Sequence, residues 1–549
     1  MGTVVRVDLQ GRRVRGWVIA VDVTPPEGMA LRPLAGVSGS GPAPELIDLA
    51  GWAAWRWAGR SVHFLRTASP PGVVAGLPTL PATPALPVGP VDEVFLEALA
   101  RPRSVLRLPP AASPLPLVLT AARRGTTLVV TPSLAAAVDL AVELRRAGVA
   151  TAVVPGEWAR AAAGARVVIG ARAAAWAPAV DLAAVVVVDE HDEAHQSEAS
   201  PTWNARDVAA ERARRAGAGC VLTSPCPSLE ALAWGPVLAP SRTDERAGWP
   251  VVDVVDRRRE EPLRADLYSP RLVALARSAT RGDAGPGLVT VLNRKGRAAL
   301  LACGSCAELA RCETCGAAVA EGDDATLGCR RCGASRPRMC LRCGSTRLKV
   351  LRPGVRRARD DLERLAGVAV AEITGDSAAE TGDAPVVVGT EAVLHRVTRA
   401  RAVAFLDLDA ELLAPRYRAA EQALALVALA ARRVGPKAGG GRLVLQTRLP
   451  GHEVVQAALH ADPARVTAAE AERRQVLALP PATALAMVSG APAIAFVEGL
   501  RGRAGVEVLG PVSARWLVRA PDHQVLCDAL AATPRPPGRL RVAVDPLRV

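Results

Sequence analysis

Only three of the 68 basic residues are lysines, Lys295, Lys349 and Lys437. None of them is followed by Ser or Thr, so no Gly-Lys-Ser/Thr phosphate-binding loop can be drawn anywhere in the chain. The longest apolar run, Ala423 to Ala431, is too short to span a bilayer, and the first residues contain no apolar core of a signal peptide. These absences argue against P-loop chemistry and against membrane insertion, and we expect a soluble, cytoplasmic protein.

The charge balance is strongly basic, with a formal net charge of +14. The preference for Arg over Lys indicates a GC-rich genome, but that bias does not explain the excess of basic over acidic residues. Eight zinc-bound thiolates and two Zn²⁺ ions would lower the net charge to about +10. A balance of this sign favours a polyanionic partner, and nucleic acid is the usual one. At 549 residues, half of them hydrophobic, the chain is long enough for three or four globular domains.

Eight of the eleven cysteines form four Cys-x-x-Cys pairs between residues 303 and 343. The pairs are Cys303/Cys306, Cys312/Cys315, Cys329/Cys332 and Cys340/Cys343. Four thiolates make one closed tetrahedral zinc site, so eight predict two Zn²⁺ ions. The alternative is a disulfide framework, although nothing else in the sequence indicates an oxidising compartment. Cys220, Cys226 and Cys527 are scattered, and we interpret them as small buried hydrophobic residues.

Strand-like and helical patterns divide the chain. Residues 4–22 indicate a small β unit, residues 45–66 a helix with a tryptophan stripe that faces a core or an interface, and residues 68–90 a proline-rich linker. Short β-rich runs then alternate with helical stretches, which is typical of a parallel sheet covered by helices. The runs in this first part are SVLRL, TLVVTP, ATAVVP, ARVVIG, AAVVVVDE and CVLTSP. A second α/β pattern starts near Gly287 and resumes after the cysteines, and residues 451–549 form a smaller α+β tail.

The buried run Ala184–Val188 ends in Asp189-Glu190-His191-Asp192, which is similar to a Walker B sequence. A strand that ends in two carboxylates can hold Mg²⁺ beside a nucleotide phosphate. Other recognisable segments accompany it in a fixed order. They are VVIGARA (167–173), WNARDV (203–208), SPCPSLE (224–230), LNRKGR (292–297), GTE (389–391) and LDLDAELLAPRYRAAEQ (406–422).

In this order, around four Cys-x-x-Cys pairs, the segments resemble the PriA (primosomal protein N′) replication-restart family, in an actinobacterial type with degenerate helicase motifs. The resemblance implies an α/β fold of two RecA-like helicase lobes with a two-zinc insertion in the second lobe. It also implies a small N-terminal β-rich DNA-binding domain and a C-terminal α+β domain. The family's metal pairing is nested, with the outer two cysteine pairs on one ion and the inner two on the other.

The resemblance divides the chain into expected domains. They are a truncated N-terminal β-rich DNA-binding domain (1–67), a linker (68–90), helicase-like lobe 1 (91–245), helicase-like lobe 2 (246–300 and 346–448), the zinc-binding insertion (301–345) and the C-terminal domain (449–549).

The departures from the family concern the nucleotide site. Residues 104–127, where the family has its P-loop, contain no Lys and only one glycine, Gly125. The arginine-finger motif reads LAARRVGP, so Arg433 falls on one arginine and Pro436 on the other. His191 replaces a Walker B glutamate, and the lobe-1 Ser-Ala-Thr-Pro motif reads Ser-Pro-Cys-Pro at 224–227. We therefore expect no catalytic residues, no use of ATP and Mg²⁺, and a vestigial nucleotide site formed by Asp189, Glu190 and Arg433.

These observations predict a zinc-stabilised replication-restart protein that binds forked or branched DNA, with primosome or single-strand-binding proteins as partners and an inactive helicase motor. The alternative is an active ATP-dependent 3′-to-5′ DNA helicase, and a third interpretation is a zinc-ribbon module of RNA or transcription machinery. The arginines around the cysteines would offset thiolate charge and reach a phosphate or a partner protein, unless they form only a solvated basic surface. They are Arg311, Arg330, Arg331, Arg336, Arg338 and Arg342.

Overall fold

The computed structural model describes residues 1–25, 27–28, 31–80, 92–259, 267–282, 285–292, 300–322, 326–351, 355–374 and 383–548, without the side chains of 350, 351 and 355–357. Residues 81–90 of the predicted linker and residues 293–297 of the LNRKGR segment lie outside the described residues. No described helix combines the length and the apolar character needed to cross a bilayer.

The N-terminal residues form a three-stranded antiparallel sheet in the order β2-β1-β3. Its strands are β1 (Val4–Leu9), β2 (Arg12–Trp17) and β3 (Gly36–Gly39). The first two form a hairpin whose turn residues, Gln10 and Gly11, both have positive φ angles, at 49° and 76°. Two consecutive residues of this kind match the right-handed twist of the flanking strands.

Two helices follow where the sequence predicted one, α1 (Pro44–Arg56) and α2 (Ser61–Ala68). The break falls at Ala58, whose φ is 45°. Both helices pack into the core of the first lobe, because Trp57 and Phe64 are fully buried there and Phe64 stacks on Trp176 at 5.2 Å between ring centroids. They thus lie outside the N-terminal sheet, although the sequence placed residues 1–67 in one domain.

Lobe 1 is a parallel seven-stranded sheet in the order β10-β4-β9-β8-β5-β7-β6. The strands are β4 (Arg103–Arg107), β5 (Thr126–Val130), β6 (Thr151–Val154), β7 (Val167–Gly170), β8 (Leu182–Val187), β9 (Gly219–Ser224) and β10 (Val237–Leu238). The helices are α3 (Glu93–Ala100), α4 (Leu115–Arg124), α5 (Leu134–Arg146), α6 (Trp158–Ala162), α7 (Ala205–Ala216), α8 (Leu229–Trp234) and α9 (Arg242–Ala247). All six β-rich runs predicted for this lobe are strands.

The cysteine module interrupts the second sheet. The chain first forms β11 (Val251–Asp256), α10 (Pro270–Arg277) and β12 (Leu288–Val291), and then enters the module through β13 (Leu300–Cys303). It leaves through β17 (Leu348–Leu351), which pairs antiparallel with β13 and closes the module at its base. Between them lies a small antiparallel sheet of β14 (Val319–Glu321), β15 (Thr326–Cys329) and β16 (Ser335–Pro337). The module therefore extends past the predicted boundary at residue 345.

Lobe 2 is a parallel six-stranded sheet in the order β11-β21-β20-β12-β19-β18. Its remaining strands are β18 (Val370–Ile373), β19 (Val386–Gly389), β20 (Ala402–Phe405) and β21 (Arg442–Thr447). Its helices after the module are α11 (Val355–Ala366), α12 (Ala392–Arg396), α13 (Asp409–Leu412) and α14 (Ala419–Val434). Two further helices, α15 (Glu453–His460) and α16 (Ala464–Val476), pack on this same core, although the sequence assigned them to the C-terminal domain.

The C-terminal unit is an antiparallel four-stranded sheet in the order β23-β24-β22-β25. It consists of β22 (Ala484–Ser489), α17 (Ala493–Glu498), β23 (Glu507–Val512), β24 (Arg515–Ala520), α18 (His523–Ala532) and β25 (Arg541–Val544). Its apolar side chains belong to the same continuous cluster as those of α1, α2 and one face of lobe 1. The end of the chain is thereby joined to its beginning through lobe 1.

Replacing Phe64 with Ala tests this placement of α2. The side chain is fully buried between Trp57 and Trp176, so we expect the free energy of unfolding to fall by about 3–5 kcal/mol. Leu96→Ala is the control, because Leu96 is 48% exposed on α3 and its loss should have little effect. Urea denaturation of the full chain measures both. Equal midpoints for the two variants would contradict the packing.

Candidate functional site: an interlobe cleft and two cysteine clusters

Asp189 and Glu190 follow β8 and lie at the carboxyl edge of the lobe-1 sheet, where parallel α/β sheets bind their ligands. Both side chains are buried and line a cleft of about 1470 Å³ that also reaches lobe 2 and the C-terminal unit. Asp189 has a φ of 51°, a conformation that few non-glycine residues adopt. The structure thus brings the predicted carboxylates to the interface between the lobes.

Asp189 is bound to lobe 2 through a two-pronged ion pair. Its carboxylate oxygens accept hydrogen bonds of 2.6 Å each from Nη1 and Nη2 of Arg432, in the last turn of α14. Burial alone would raise the pKa of Asp189, but the Arg432 guanidinium overrides this effect and lowers the pKa. Bidentate pairs of this kind are strong and fix their geometry. Arg432 therefore neutralises the carboxylate and takes up both of its oxygens.

The same guanidinium contacts the turn between β4 and α4, where the family has its P-loop. Nε of Arg432 donates a hydrogen bond of 2.7 Å to the carbonyl oxygen of Pro110. A phosphate cradle needs backbone N–H groups that point at the ligand. Three of the seven turn residues are prolines, which have no N–H group, and two further amides are already donated within lobe 1 (Leu108 to Ser224 O at 3.2 Å, Ala112 to Pro109 O at 3.0 Å). The turn presents a carbonyl oxygen to a cation instead of amides to an anion.

Glu190 is satisfied within lobe 1. It accepts hydrogen bonds from the backbone N–H of Ser228 at 2.7 Å, from the Ser228 hydroxyl at 2.8 Å and from Nη1 of Arg206 at 3.2 Å. Ser228 is the N-cap of α8, so the carboxylate also stabilises the start of that helix. Glu190 is held as a structural anion, and its oxygens are not free to activate water.

His191 occupies the position where the resemblance implies a further glutamate. Its Nδ1 lies 2.8 Å from the hydroxyl of Ser224. Burial would lower the pKa of His191, but Cys226, Asp189 and Glu190 outweigh this effect and raise the pKa to about 10. The residues at this strand end do not fit Mg²⁺, because both carboxylates are already paired with cations.

Arg433 does not join the predicted nucleotide site. Its Nε donates a hydrogen bond of 2.6 Å to the carbonyl oxygen of Leu394 within lobe 2, and burial lowers its pKa. At the cleft, the position predicted for Arg433 is taken by the neighbouring Arg432. The sequence contained a signal for this, because a second arginine stands directly before Arg433 in LAARRVGP. Arg206 and Ser228 were also missed, because their roles depend on contacts with Glu190.

A second, larger ion-pair network joins lobe 1, α14 and α16. Glu230 on α8 accepts from Arg418 at 3.0 Å and from Arg474 at 3.4 Å, and Arg474 also pairs with Glu421 and Glu470. Burial would raise the pKa of Glu230, but Arg418 and Arg474 lower it to about 2. Arg474 is only 1% exposed. These charges are paired and largely shielded from solvent, so they join lobe 1 to α14 and α16 of lobe 2.

The C-terminal strand adds contacts on the other side of the cleft. The Asp545 carboxylate pairs with Arg56 of α1 at 2.7 Å and with His523 at 2.8 Å, and these partners lower its pKa against the effect of burial. The carbonyl of Val544 accepts from Thr202 of lobe 1 at 2.9 Å, and the carbonyl of Pro546 accepts from Tyr417 of lobe 2 at 3.1 Å. The last strand therefore contacts both lobes.

The eight paired cysteines gather into two groups of four, in the nested arrangement that the resemblance implied. In the outer group, Sγ atoms are 3.6 Å apart for Cys303–Cys343 and for Cys306–Cys340. In the inner group the corresponding separations are 3.5 Å for Cys312–Cys332 and 3.4 Å for Cys315–Cys329. Tetrahedral coordination at the Zn–S distance of about 2.3 Å separates sulfurs by a little under 4 Å, so both donor sets fit one Zn²⁺ ion each.

Glycines shape the cysteine knuckles. Gly316, Gly333 and Gly344 each follow the second cysteine of a pair and have φ angles of 71°, 75° and 72°. A left-handed residue here turns the chain so that both sulfurs face one point, which a side chain would disfavour. Cys220, Cys226 and Cys527 are buried away from these groups, as predicted.

The arginines of the module have different surroundings. Arg338 pairs with Glu321 at 2.7 Å, and Arg336 donates to the carbonyl of Met339 at 2.6 Å. Arg311 and Arg342 lie 3.5 Å and 3.7 Å from Glu308. Arg331 reaches lobe 2, where it donates to the carbonyl of Tyr417 at 3.3 Å, while Arg330 is exposed. Among the described residues, Arg331 is therefore the one of these six arginines whose side chain donates a hydrogen bond to the body of lobe 2.

Two parallel α/β lobes that face each other across a cleft, with a cysteine-rich module inserted in the second, define a helicase-like protein of the RecA-like class. The chain is 32% identical over 417 residues to the probable replication restart protein PriA of Mycobacterium leprae, and the alignment covers 69% of this chain and 63% of that protein. It is 32% identical over 339 residues to the replication restart protein PriA of Treponema pallidum, covering 57% and 50%. The chain belongs to the PriA replication-restart family.

The chain spans less than two thirds of the length of the curated relatives that it matches. No family model matches the sequence. Among solved structures, a DEAD box protein from the hyperthermophile Methanococcus jannaschii is similar over 68% of this chain and 91% of that one, with 10% identity and a TM-score of 0.32.

We expect two zinc ions per chain by elemental analysis of the purified protein. A variant in which Cys312, Cys315, Cys329 and Cys332 are all Ser should retain one ion, because the outer group stays complete. Under any other pairing of the four Cys-x-x-Cys units, the same variant would have no complete four-cysteine site. Cys220→Ala is the control and should retain both ions, since Cys220 lies in the lobe-1 core. Loss of all zinc from the fourfold variant would contradict the nested arrangement.

The Asp189–Arg432 pair predicts a specific pattern of stabilities. Arg432→Met leaves a buried carboxylate unpaired and should lower the free energy of unfolding by about 3–5 kcal/mol. Combining it with Asp189→Asn should cost less than the sum of the single changes, because the stranded charge is removed. Urea denaturation at pH 7 measures the cycle. Additive effects would contradict a direct interaction.

The pair also predicts a pH dependence. Asp189 has a lowered pKa in the folded protein, so its contribution to stability is present above the ordinary carboxyl pKa of about 4 and is lost as the pH falls below that value. Arg432→Met should remove this contribution, and burial should then raise the pKa of Asp189. In the variant the contribution of Asp189 therefore changes sign, and the free energy of unfolding should rise as the pH falls from neutral through the raised pKa. Urea denaturation of both proteins across this pH range measures the difference.

Proposed function

We propose that this chain is a replication-restart factor that binds forked or branched DNA and has lost ATP-driven unwinding. The observation that carries the proposal is the position of Arg432, whose guanidinium bridges Asp189 and the carbonyl of Pro110. In P-loop helicases, the space between the first turn and the Walker B carboxylate holds the metal ion and the triphosphate. Here a side chain of the protein itself occupies the equivalent space.

Nucleotide binding would have to displace this guanidinium. Displacement would leave Asp189 buried and unpaired, which is strongly destabilising. No P-loop Lys is present to replace the lost positive charge, and the turn offers few free amides. Without a cationic cradle, the carboxylates would repel a triphosphate. These points support a protein that neither binds Mg·ATP productively nor hydrolyses it.

The ion-pair network around Glu230 supports the same proposal from another side. Helicase cycles open and close the two lobes with the nucleotide state, whereas here side chains of the protein itself, Arg418 and Arg474, join lobe 2 to Glu230 of lobe 1. We infer that the lobes serve as a fixed scaffold. The two cysteine groups, each holding one Zn²⁺, would stabilise the module that projects from it.

DNA binding is proposed from the net charge and from the family. The relatives are named for replication restart, and the chain has a formal charge of +14 before metal is counted. Primosome and single-strand-binding proteins are the partners that such a role would require. Because phosphate contacts release counterions, log K should fall with log salt by about 0.9 per duplex phosphate or about 0.7 per single-strand phosphate.

DNA binding and ATP hydrolysis should be measured side by side on one forked DNA. We expect salt-dependent binding with little sequence preference, and no ATP hydrolysis above background with Mg²⁺ present. An active helicase of the family, assayed in parallel, confirms that the conditions support turnover. Any hydrolysis that is seen should be unaffected by Asp189→Asn, which would identify it as contamination.

Two results would contradict the proposal separately. A DNA-stimulated ATPase that Asp189→Asn abolishes would mean that the motor is active. Binding that stays flat as salt rises would mean that the basic charge does not serve DNA recognition.

A further inference from the structure

A second, smaller cavity lies where the cysteine module meets lobe 2. Its volume is about 180 Å³, and it is lined on the module side by Arg311 and Arg331 and on the lobe-2 side by His452, Glu453 and Arg473. Pockets for drug-sized ligands measure roughly 300–1,000 Å³, so this one suits a group smaller than a nucleotide. Three guanidinium groups around so small a space indicate an anion site.

The three arginines are not equally neutralised. Arg473 is paired with Glu453 at 2.6 Å and with Glu470 at 2.8 Å, and Arg311 lies 3.5 Å from Glu308. Arg331 has no carboxylate within 4 Å among the described residues. Its side chain makes only long hydrogen bonds to carbonyl oxygens, 3.4 Å to Cys315 and 3.3 Å to Tyr417.

Arg331 also has an unsatisfied donor. Its Nε is buried and has no hydrogen-bond partner among the described residues. A buried N–H group without an acceptor is unfavourable, and an anion in the cavity would supply one. Guanidinium groups bind phosphate oxygens in a planar, two-pronged geometry, which makes Arg the residue suited to this ligand.

The electrostatic state of His452 is consistent with a positive cavity. Burial lowers its pKa, Glu453 opposes this, and the charges of Arg473, Arg311 and Arg331 lower the pKa further. Arg311 and Arg331 of the module and Arg473 of lobe 2 therefore all act electrostatically on His452. Arg311 and Arg331 precede Cys312 and Cys332 of the inner cysteine group, so an ion held there would also fix both arginines in place.

We propose that this cavity binds a single phosphate group of a DNA strand, with Arg331 as the principal ligand and Arg311 and Arg473 in support. The inference rests on the proposed DNA binding and deepens it, since it places one backbone contact at the junction of the module and lobe 2. A free inorganic phosphate has the same chemistry, and the experiment separates the two sources. The competing outcome is that the arginines only offset the charge of the thiolates.

The test compares Arg331→Gln with Arg330→Gln in the full chain. Arg330 is the matched control, because it is exposed, is adjacent to Arg331 within the same Cys329/Cys332 pair and does not line the cavity. Loss of one phosphate contact should reduce the salt slope by about 0.9 for duplex or about 0.7 for single-stranded DNA. At 0.1 M salt this corresponds to binding weaker by about eightfold or about fivefold. Arg330→Gln should keep the wild-type slope.

Inorganic phosphate is tested separately, at constant ionic strength against chloride. Phosphate should raise the thermal midpoint of the wild type and of Arg330→Gln, but not that of Arg331→Gln. A phosphate response with equal DNA salt slopes in all three proteins would overturn the DNA assignment in favour of a free anion. Equal slopes without any phosphate response would mean that the cavity is no site at all.

Failure of DNA binding and loss of metal from Arg331→Gln have different consequences for the proposal. If the wild type binds no DNA, the proposed function fails while the phosphate response still decides the cavity. If Arg331→Gln retains fewer metal ions than the wild type, Arg473→Gln replaces it, because Arg473 lies on α16 away from the cysteines. Its control is Arg465→Gln on the same helix, outside the cavity. Arg473→Gln should reduce the salt slope by less than one phosphate contact, because Glu453 and Glu470 already offset part of its charge, and an unchanged slope would overturn the proposal.

Discussion

The buried ion pair between Asp189 and Arg432 is the contact on which the arrangement of this molecule depends. It joins the strand end of lobe 1 to the last turn of α14 in lobe 2, and the same guanidinium holds the turn that replaces the P-loop. A buried carboxylate is tolerated only with such a partner. The pair therefore neutralises the carboxylate that a nucleotide site would need and fixes the position of the lobes at the same time.

Other buried ion pairs also join separate parts of the molecule. Lobe 1 is joined to α14 and α16 by the pairs of Glu230 with Arg418 and Arg474. The C-terminal strand is joined to α1 by the pair of Asp545 with Arg56. A buried ion pair generally adds little more stability than an apolar contact of the same size. Its two charged groups must nevertheless keep a defined distance and orientation. The cavity at Arg331 lies against the same lobe 2 that this network joins to lobe 1.

Local patterns made much of the fold predictable. The six apolar runs of lobe 1 are strands because continuous β-branched residues suit a sheet that is covered on both faces, and β8 is the clearest example. The spacing of the cysteines indicated two four-cysteine groups because Cys-x-x-Cys forms a compact knuckle on its own. Less predictable were the break at Ala58 and the membership of α15 and α16 in lobe 2, since both depend on packing against distant residues.

The sequence by itself determined the strand and helix pattern, the two sets of thiolates and the missing phosphate-binding loop, because each of these is written in neighbouring residues. Only the tertiary structure decided which arginine meets Asp189. The two residues are 243 positions apart, and adjacent arginines in α14 point to different surroundings, so Arg432 reaches the cleft while Arg433 turns to the carbonyl of Leu394. Successive side chains of a helix point about 100° apart. Which of the two arginines faces the cleft is therefore decided only when α14 packs against the rest of the protein.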